Sequence, residues 1–374
     1  KKYDESEERL RKKREKFKNA VEKKWDTYKE STSKSYVTYS KDLSSRTIVD
    51  FEKGEVTIEV ITDEEDPKYD SYESKFNSEL DEQFAKNDKI NKIGLLIRAR
   101  LLNIIAMFVL QDDEDTNRDG SANSSFVKQL SKLLKVKGDD GQPILKDQLV
   151  DVGGKAVEGV GNTLSVAKDL ISNKTKNVRM HFSKDGKKRT IISIKIPLSD
   201  DHMEKRKERY KELIEIEARL FNIPTEIALD IAETESSFNP KAKSHVPAYG
   251  LMQLVPKTGA RDAYQWIYKK DKFITGRYLY KPRNNVELGC AYLSMIRHHY
   301  FSDIRDDDLA YICAIPAYNT GVGNVSKALI DKTNIGEAAK KANTGEVYVA
   351  TPDQKIIDVI INNGGKAVLT SLDH

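Results

Sequence analysis

The stretch "PTEIALDIAETESSFNP", residues 224–240, predicts a helix that carries two glutamates close to its end. Proline suits the first turn of a helix, and no helix-breaking residue follows until the final loop of the segment. Ile227, Ile231 and Glu235 recur at four-residue steps, so Glu235 continues the apolar stripe of this helix. Glu233 projects to nearly the opposite side. The spacing therefore predicts that Glu235 faces the protein interior.

A carboxyl group at such a position has two interpretations. It can be a helix-end residue paired with a nearby lysine or arginine, which is the commoner case for a lone glutamate beside an apolar stripe. Alternatively, lost hydration raises the pKa of Glu235, so that the group holds a proton near neutral pH and delivers it to a leaving oxygen.

The residues downstream favour the second interpretation. "AYGLMQLVP" at 248–256 and "AIPAYNTGVGNV" at 314–325 combine glycines, which permit close backbone approach, with amide, phenol and aromatic groups. A carboxylic acid that faces neutral groups of this kind suits a neutral, polyhydroxylated ligand with acetamido groups. Sugars fit that description.

Composition limits the classes of protein that need to be considered. The chain has 374 residues, enough for two or three domains, with 63 basic and 59 acidic residues and a net charge of +4. No basic domain stands out, which argues against a dedicated nucleic-acid binder. Two cysteines exclude a disulfide scaffold and a four-cysteine zinc site.

No apolar run reaches the roughly 18–20 residues that a membrane-spanning helix needs. The most apolar stretch, residues 93–110, contains arginines and an asparagine, which is typical of a buried amphipathic helix. The sequence opens at Lys1 with neither a methionine nor an apolar signal region. We therefore expect a mature or trimmed chain whose export signal has been removed.

Three segments are predicted along the chain. Residues 1–34 form a charged helical segment with a narrow apolar stripe, which could be a spacer from an anchor, a docking helix for a partner, or a helix lying on the next domain. Residues 35–200 form a small α/β accessory domain, and residues 201–374 form an all-α domain. The predicted fold class is α+β.

The accessory domain is predicted from β-branched and aromatic runs. "SYVTYS", "RTIVDF" and "EVTIEVI", within 35–62, and "RTIISIKIPL", near 189–198, are typical of strands, and we expect them in one sheet. A helical pattern over 75–110 should pack against that sheet. Residues 120–175 have no clear pattern.

Four motifs of the helical domain occur in the order and spacing found in the soluble-lytic-transglycosylase-like family. They are "ESSFNP", "GLMQLVP", "NVELGCAYL" and "AYNTG", and the similarity extends over roughly residues 203–350. Residues 36–61 and the "GQPI" at 141–144 resemble the accessory domain of the membrane-bound lytic murein transglycosylase C family. Together the two regions cover most of the chain.

This resemblance implies a lysozyme-like catalytic domain that cleaves the β-1,4 bond between MurNAc and GlcNAc of peptidoglycan without hydrolysis. Glu235 would act first as acid and then as base, leaving a 1,6-anhydro-MurNAc end. Most glycosidases pair two carboxylates, whereas substrate-assisted enzymes use the N-acetyl oxygen of the sugar. No matching motif supplies a second acid, and neither a metal nor a cofactor is implied.

The resemblance also implies which residues bind the substrate. Gln253, Tyr318 and Asn319 would orient the acetamido group and stabilise developing charge. We expect the hydroxyl of Tyr318 to stay free at the cleft, although a core tyrosine bonded to the backbone is the alternative. The other implied substrate-binding positions are Ser236, Ser244, Gly250, Met252 and Tyr348.

The sequence departs from the family pattern at both ends of the implied cleft. Pro247 and Tyr249 stand where relatives commonly have glycine and a small residue, which predicts a stiffer loop and a narrower cleft. Residues 351–365 lack the glutamate-bearing helix with which the family usually closes.

Three weaker signals favour ordinary structural roles. "DTNRDG" at 115–120 begins like a calcium-binding loop, but its twelfth position is Phe126 rather than glutamate, so a solvated acidic loop is expected. His298 and His299 are adjacent on a helix and cannot readily chelate one metal ion. Cys290 and Cys313 could form a disulfide, although buried free thiols are the default.

The resemblance as a whole implies an exported, periplasmic enzyme that acts on peptidoglycan glycan strands and has no nucleic-acid partner. A lipid anchor at an N-terminus outside this sequence would hold it at the outer membrane. We expect the accessory domain to place the enzyme rather than to take part in the chemistry. The alternatives are a hydrolytic muramidase, which needs a base to activate water, and a non-catalytic peptidoglycan-binding scaffold.

Overall fold

The computed structural model describes residues 2–63, 122–150, 157, 163–172, 174–343, 348–351 and 366–369. A part that contains a sheet precedes a helical part, which confirms the predicted α+β fold class. The predicted helix over 75–110 and the calcium-like loop at 115–120 lie outside the described residues. Among the described residues, no helix is both long and apolar enough to cross a membrane.

The sheet has five antiparallel strands in the order β1-β2-β3-β5-β4. The predicted strands thus lie in one sheet, as expected, and β4 is a strand that the sequence analysis did not predict. The elements of this part are α1 Lys2–Lys24, β1 Ser35–Tyr39, β2 Ser45–Asp50, β3 Glu55–Asp63, α2 Ala122–Leu134, α3 Thr163–Ser172, β4 Asn177–Phe182 and β5 Lys188–Pro197.

Helices cover both faces of this sheet. Alternate residues of a strand point to opposite faces, so Val56 and Ile58 of β3 face the core shared with α2 and α3. Ile61 faces the other side, where it packs with Val21 and Trp25 beside α1. The N-terminal segment therefore lies on the sheet, in agreement with the third interpretation of its apolar stripe.

The helical part continues from residue 202. A parallel pair of short strands follows its last helix and is an addition to the predicted all-α domain. The elements are α4 His202–Leu220, α5 Thr225–Ser236, α6 Gly259–Tyr268, α7 Gly276–Leu279, α8 Pro282–Met295 with a π-helical turn at Ile296–Tyr300, α9 Asp307–Thr320, α10 Val322–Ile330, α11 Ile335–Ala342, β6 Tyr348–Thr351 and β7 Lys366–Leu369.

The core of the helical part surrounds α5, whose Ile227, Ala228, Ile231 and Ala232 side chains are buried. Cys290 and Cys313 belong to the same core and are free thiols rather than a disulfide. Burial raises the pKa of the Cys313 thiol to about 12, so this group stays protonated. Both histidines of the adjacent pair, at 298 and 299, are exposed.

Candidate active site

The helix α5 ends abruptly just after Glu235. Ser237 and Phe238 have φ angles of 51° and 54°, in the left-handed region that non-glycine residues rarely adopt. The Phe238 side chain is completely buried in the helical core, and its packing compensates for the unfavourable backbone. The chain therefore turns sharply at a fixed point, one to three residues beyond the candidate acid.

A small cavity of about 20 Å³ lies between α5 and α9, next to Glu235. The spacing argument predicted that Glu235 and Ile231 share one side of α5, and both residues line this cavity, whereas Glu233 does not. The space holds about one water molecule, so it can be the floor of a larger site but cannot enclose a sugar ring. Its lining residues are Asp230, Ile231, Thr234, Glu235, Ile315, Tyr318 and Asn319.

Glu233 belongs to a different electrostatic environment. Burial lowers the pKa of Arg206, on the neighbouring helix α4, to about 10, and the charge of Glu233 opposes that shift. Of the two glutamates at the end of α5, only Glu235 lines the cavity, whereas Glu233 faces Arg206 and also influences Asp230.

The structure places Tyr318 in the cavity wall but does not leave its hydroxyl free. The side chain is 8% exposed, and its hydroxyl donates a 2.8 Å hydrogen bond to the backbone carbonyl of Met252. Burial and then the charge of Glu235 raise the pKa of the Tyr318 phenol well above its usual value. The prediction of a free hydroxyl is therefore wrong, because the nearby loop supplies a backbone acceptor.

That loop is shaped by Gly250 and held by Asn285 of α8. Gly250 has a φ of 77°, and a Cβ atom there would lie 2.4 Å from both the Asn285 amide nitrogen and the Leu279 carbonyl oxygen. The Asn285 side chain accepts a 2.7 Å hydrogen bond from the Met252 N–H and donates one of the same length to the Tyr249 carbonyl. Asn285 lies in the "NVELGCAYL" motif, but no role for it was predicted from the sequence.

Gln253 lies in the same loop but does not line the cavity. Its side chain is 8% exposed, and its amide nitrogen donates a 2.9 Å hydrogen bond to the Gly250 carbonyl. Within the described part of the chain, its amide oxygen is buried without a hydrogen-bond partner. A buried, unpaired acceptor of this kind is costly.

The two implied serines have structural contacts. The Ser236 hydroxyl donates to the Leu251 carbonyl at 2.7 Å and to that of Ala232 at 3.0 Å, so it fastens the loop to α5. The Ser244 hydroxyl accepts a 3.1 Å hydrogen bond from the Ala248 N–H within its own loop. Neither serine lines the cavity beside Glu235.

The remaining implied residues are separated from one another. Asn319 is exposed at the edge of the cavity, one residue beyond Tyr318. Tyr348 begins β6, which runs beside α9, and its side chain lies outside the described part. The Tyr249 ring packs edge-on against Tyr280, with ring centres 5.4 Å apart. Pro247, the other departure from the family pattern, is partly buried in the same loop.

Sequence reasoning missed Asp230, which lines the cavity one turn before Thr234. Burial, and secondarily the charge of Glu233, raises the pKa of the Asp230 carboxyl. The signal was its place beside Ile231 on the helix, but Asp230 lies outside the four motifs that carry the family resemblance. The described residues contain no cluster of three or more histidine, cysteine or acidic side chains that could hold a metal ion.

Two larger cavities occur elsewhere. One of about 630 Å³ lies between residues 142–148 and the first half of α4, and one of about 650 Å³ lies at the N-terminal end of α5. Glu235 lines neither of them.

Comparison with known proteins associates both parts of the chain with one group of enzymes. Residues 212–341 match the family described as "Transglycosylase SLT domain". Residues 3–73 match the "Membrane-bound lytic murein transglycosylase C, N-terminal domain", so that this second match includes α1 and the first three strands.

Curated relatives carry the same description. The membrane-bound lytic murein transglycosylase C of Klebsiella pneumoniae subsp. pneumoniae is 29% identical over 280 residues, which are 75% of this chain and 72% of that protein. Its counterpart in Haemophilus influenzae is 32% identical over 227 residues, which are 58% of this chain and 61% of the relative. Among solved structures, the 70 kDa soluble lytic transglycosylase of Escherichia coli is similar over 36% of this chain and 21% of its own, with 27% identity and a TM-score of 0.28.

Proposed function

The chain belongs to the lytic murein transglycosylases, and we propose that it cleaves the MurNAc-β-1,4-GlcNAc bond of peptidoglycan to give 1,6-anhydro-MurNAc ends. The observation that carries this proposal is the position of Glu235. It is a half-buried carboxyl group at the end of a core helix, beside a cavity walled by Ile231, Ile315 and the Tyr318 ring. A carboxyl group with reduced hydration beside apolar groups is suited to act as the general acid in the first step.

Glu235 performs both proton transfers in this proposal. Its proton passes to the glycosidic oxygen while the bond between that oxygen and C1 of MurNAc breaks. The acetamido oxygen of the sugar stabilises C1 between the two steps. The C6 hydroxyl of the same MurNAc then attacks C1, and its proton returns to Glu235. No water is consumed, and the acid ends in its starting protonation state.

The other implied residues support this chemistry in two ways. The Asn319 amide is exposed at the edge of the cavity and can receive groups of the sugar. Gln253 is buried and does not line the cavity, so its proposed part is to hold the loop through its bond to the Gly250 carbonyl. Ser236, Gly250 and Met252 act indirectly, because they fix the loop that carries Gln253. Ser244 and Tyr348 complete the proposed set at greater distance along the chain.

A hydrolytic muramidase is the second candidate, and Asp230 is the observation in its favour. Hydrolysis needs a base that activates water, and Asp230 lines the same cavity as Glu235. The raised pKa of Asp230 makes its carboxylate a stronger base, so it does not count against this alternative, and the reaction product has to decide.

The product separates the two reactions. Purified sacculi are incubated with the enzyme, and the released muropeptides are weighed by mass spectrometry. Transglycosylase action gives anhydro ends that are one water molecule lighter than the reducing ends left by hydrolysis. Reducing ends from the wild-type protein, abolished by Asp230→Asn, would establish the muramidase instead. Absence of any soluble product from a folded protein would leave only a binding scaffold.

We also propose that the enzyme works in the periplasm, held at the outer membrane by a lipid anchor. The support is the description of the relatives as membrane-bound. Fractionation of cells that express the full gene, with separation of inner and outer membranes, tests this location.

A further inference from the structure

Arg206 is the most deeply buried cation of α4, at 1% exposure, and its hydrogen bonds reach neutral acceptors on three separate parts of the chain. Its guanidinium donates to the Ser237 carbonyl at 2.9 Å, to the Gln148 side-chain oxygen at 2.5 Å and to the Phe51 carbonyl at 2.5 Å. It also lies over the Phe51 ring, 5.1 Å from the ring centre.

These three partners join the accessory domain to the end of α5. Phe51 follows β2, and Gln148 lies in the segment after α2, so both belong to the sheet-containing part. Ser237 is the left-handed residue at which α5 stops, two positions beyond Glu235. A buried guanidinium is expensive to desolvate, and its planar fork of donors is what makes three fixed directions possible.

Further contacts hold the same segment from the other side. The Asn239 side chain donates to the Ser33 carbonyl at 2.9 Å, and the Lys243 N–H donates to the Thr32 carbonyl at 3.4 Å. Residues 237–243 therefore lie between Arg206 on one side and the start of the sheet on the other. The segment that determines where α5 ends is thus linked to the accessory domain through Arg206 at one end and bonded to the chain just before β1 at the other.

We infer that Arg206 is a positioning residue through which the accessory domain fixes the end of α5 and thereby the direction of Glu235. The claim that this contact orients Glu235 for catalysis rests on the proposed function. The claim that Arg206 fixes the end of α5 does not. The inference assigns to residues 35–200 a role in orienting the acid, which goes beyond the placement on the cell wall expected from the sequence.

The test uses full-length variants of Gln148, because this side chain can be changed without removing the buried charge. Gln148→Leu deletes both the acceptor for Arg206 and the amide that donates to the Ile144 carbonyl at 3.0 Å, whereas Gln148→Glu deletes only that donor. Gln142→Leu is the matched control, since it makes the same change on an exposed side chain of the same segment. Amide hydrogen exchange of residues 236–243, melting temperature, kcat and KM are measured for each protein.

We expect Gln148→Leu to increase exchange in residues 236–243 and to lower kcat by at least about tenfold while KM changes less than about threefold. Gln142→Leu should behave like the wild type, and Gln148→Glu should retain the wild-type kcat and exchange although loss of the bond to the Ile144 carbonyl lowers its melting temperature. Unchanged exchange and kcat in a folded Gln148→Leu protein would overturn the inference. A loss of kcat that only follows a loss of folded protein would do the same, because it indicates a merely structural role.

If Gln148→Leu fails to fold, Arg206→Lys provides the same comparison, since lysine keeps the charge but cannot donate in three fixed directions. If the wild-type protein cleaves no peptidoglycan, the proposed function fails. The exchange of residues 236–243 in Gln148→Leu then decides the positioning role by itself.

Discussion

The hydroxyl of Tyr318 donates a 2.8 Å hydrogen bond to the backbone carbonyl of Met252, across the space between α9 and the loop that follows Gly250. The hydroxyl hydrogen is used in this bond and is therefore not available for a hydrogen bond to a substrate. The bond also connects the wall of the Glu235 cavity to the loop that carries Gln253. Tyr318 is therefore better described as a brace of the site than as a group that acts on the sugar.

Tyr318→Phe should accordingly lower stability more than catalysis. Loss of one buried hydrogen bond, with the Met252 carbonyl left unpaired, is expected to cost about 1–3 kcal/mol in urea denaturation. We expect kcat to fall less than about fivefold, because no proton donor to the substrate is lost.

Tyr311→Phe on the same helix is the control, since its hydroxyl lies 3.5 Å from the Asn222 carbonyl and makes at most a weak bond. A kcat at least about tenfold lower in Tyr318→Phe, together with unchanged stability, would restore the catalytic role first predicted from the sequence.

Glu235→Gln should abolish cleavage while the fold survives. The amide retains the shape of the side chain but cannot carry a proton, and general acid–base assistance contributes a factor of about 10²–10⁴ to each step. Release of anhydro-muropeptides from sacculi should therefore fall below detection, with an unchanged circular dichroism spectrum.

Glu233→Gln is the matched comparison, two residues earlier on the same helix. This residue does not line the cavity, so its variant should retain at least about half of the wild-type rate. Similar activity in both variants would contradict the assignment of Glu235 as the acid.

Asp230→Asn should stabilise the protein at neutral pH but not in acid. Burial raises the pKa of Asp230, so the folded state holds this proton more tightly than the unfolded chain does. The penalty is absent below the ordinary aspartate pKa of about 3.9 and develops as the pH rises through the raised value. Removal of the charge should therefore increase stability by at most about 1 kcal/mol at pH ~7 and by nothing at pH ~3, measured by urea midpoints.

Asp271→Asn should change the stability at neutral pH in the opposite direction. The hydrogen bond from Arg261 lowers the pKa of the exposed Asp271 carboxyl, so its stabilising contribution is present at neutral pH and is lost in acid. This variant should be equal to the wild type or slightly less stable at neutral pH. A gain of stability in Asp271→Asn, or a loss in Asp230→Asn, would show that the local charges have been misjudged.

The strands and α5 could be predicted because their signals are local. β-branched residues alternate in β3 and β5, and four-residue spacing places Ile231 and Glu235 on one side of α5. β4, "NVRMHF", alternates polar and apolar residues, so its own sequence carried the signal of a half-buried strand although no strand was predicted there. Its pairing with β5, by contrast, depends on the tertiary arrangement.

The contacts around the site could not be predicted because they join distant parts of the chain. Arg206 is one of many charged residues in "MEKRKERYKELIEIEARL", and nothing in that pattern distinguishes it from its exposed neighbours. Its burial results from the arrival of Phe51 and Gln148, which are 155 and 58 residues away in sequence. The hydroxyl of Tyr318 was misjudged for the same reason, since its acceptor is a backbone atom 66 residues distant.

Gly250→Ala should destabilise the protein far more than the left-handed backbone angle alone would. A left-handed φ costs an alanine about 1–2 kcal/mol, but the added methyl group would also lie 2.4 Å from the Asn285 amide and from the Leu279 carbonyl. Asn285 braces the backbone on both sides of Gly250, so its displacement releases the loop that carries Gln253. We expect a total loss of about 3–5 kcal/mol in urea denaturation, together with a fall in kcat.

Gly141→Ala isolates the backbone contribution. Gly141 has a φ of 78°, nearly the same as the 77° of Gly250, and a Cβ atom there would meet nothing within 4 Å. Its variant should therefore lose only the cost of the left-handed conformation, about 1–2 kcal/mol, with peptidoglycan cleavage unchanged. Equal destabilisation in the two variants would mean that the Asn285 side chain and the Leu279 carbonyl move aside easily. In that case the close approach at Gly250 would not be what holds the loop beside Glu235.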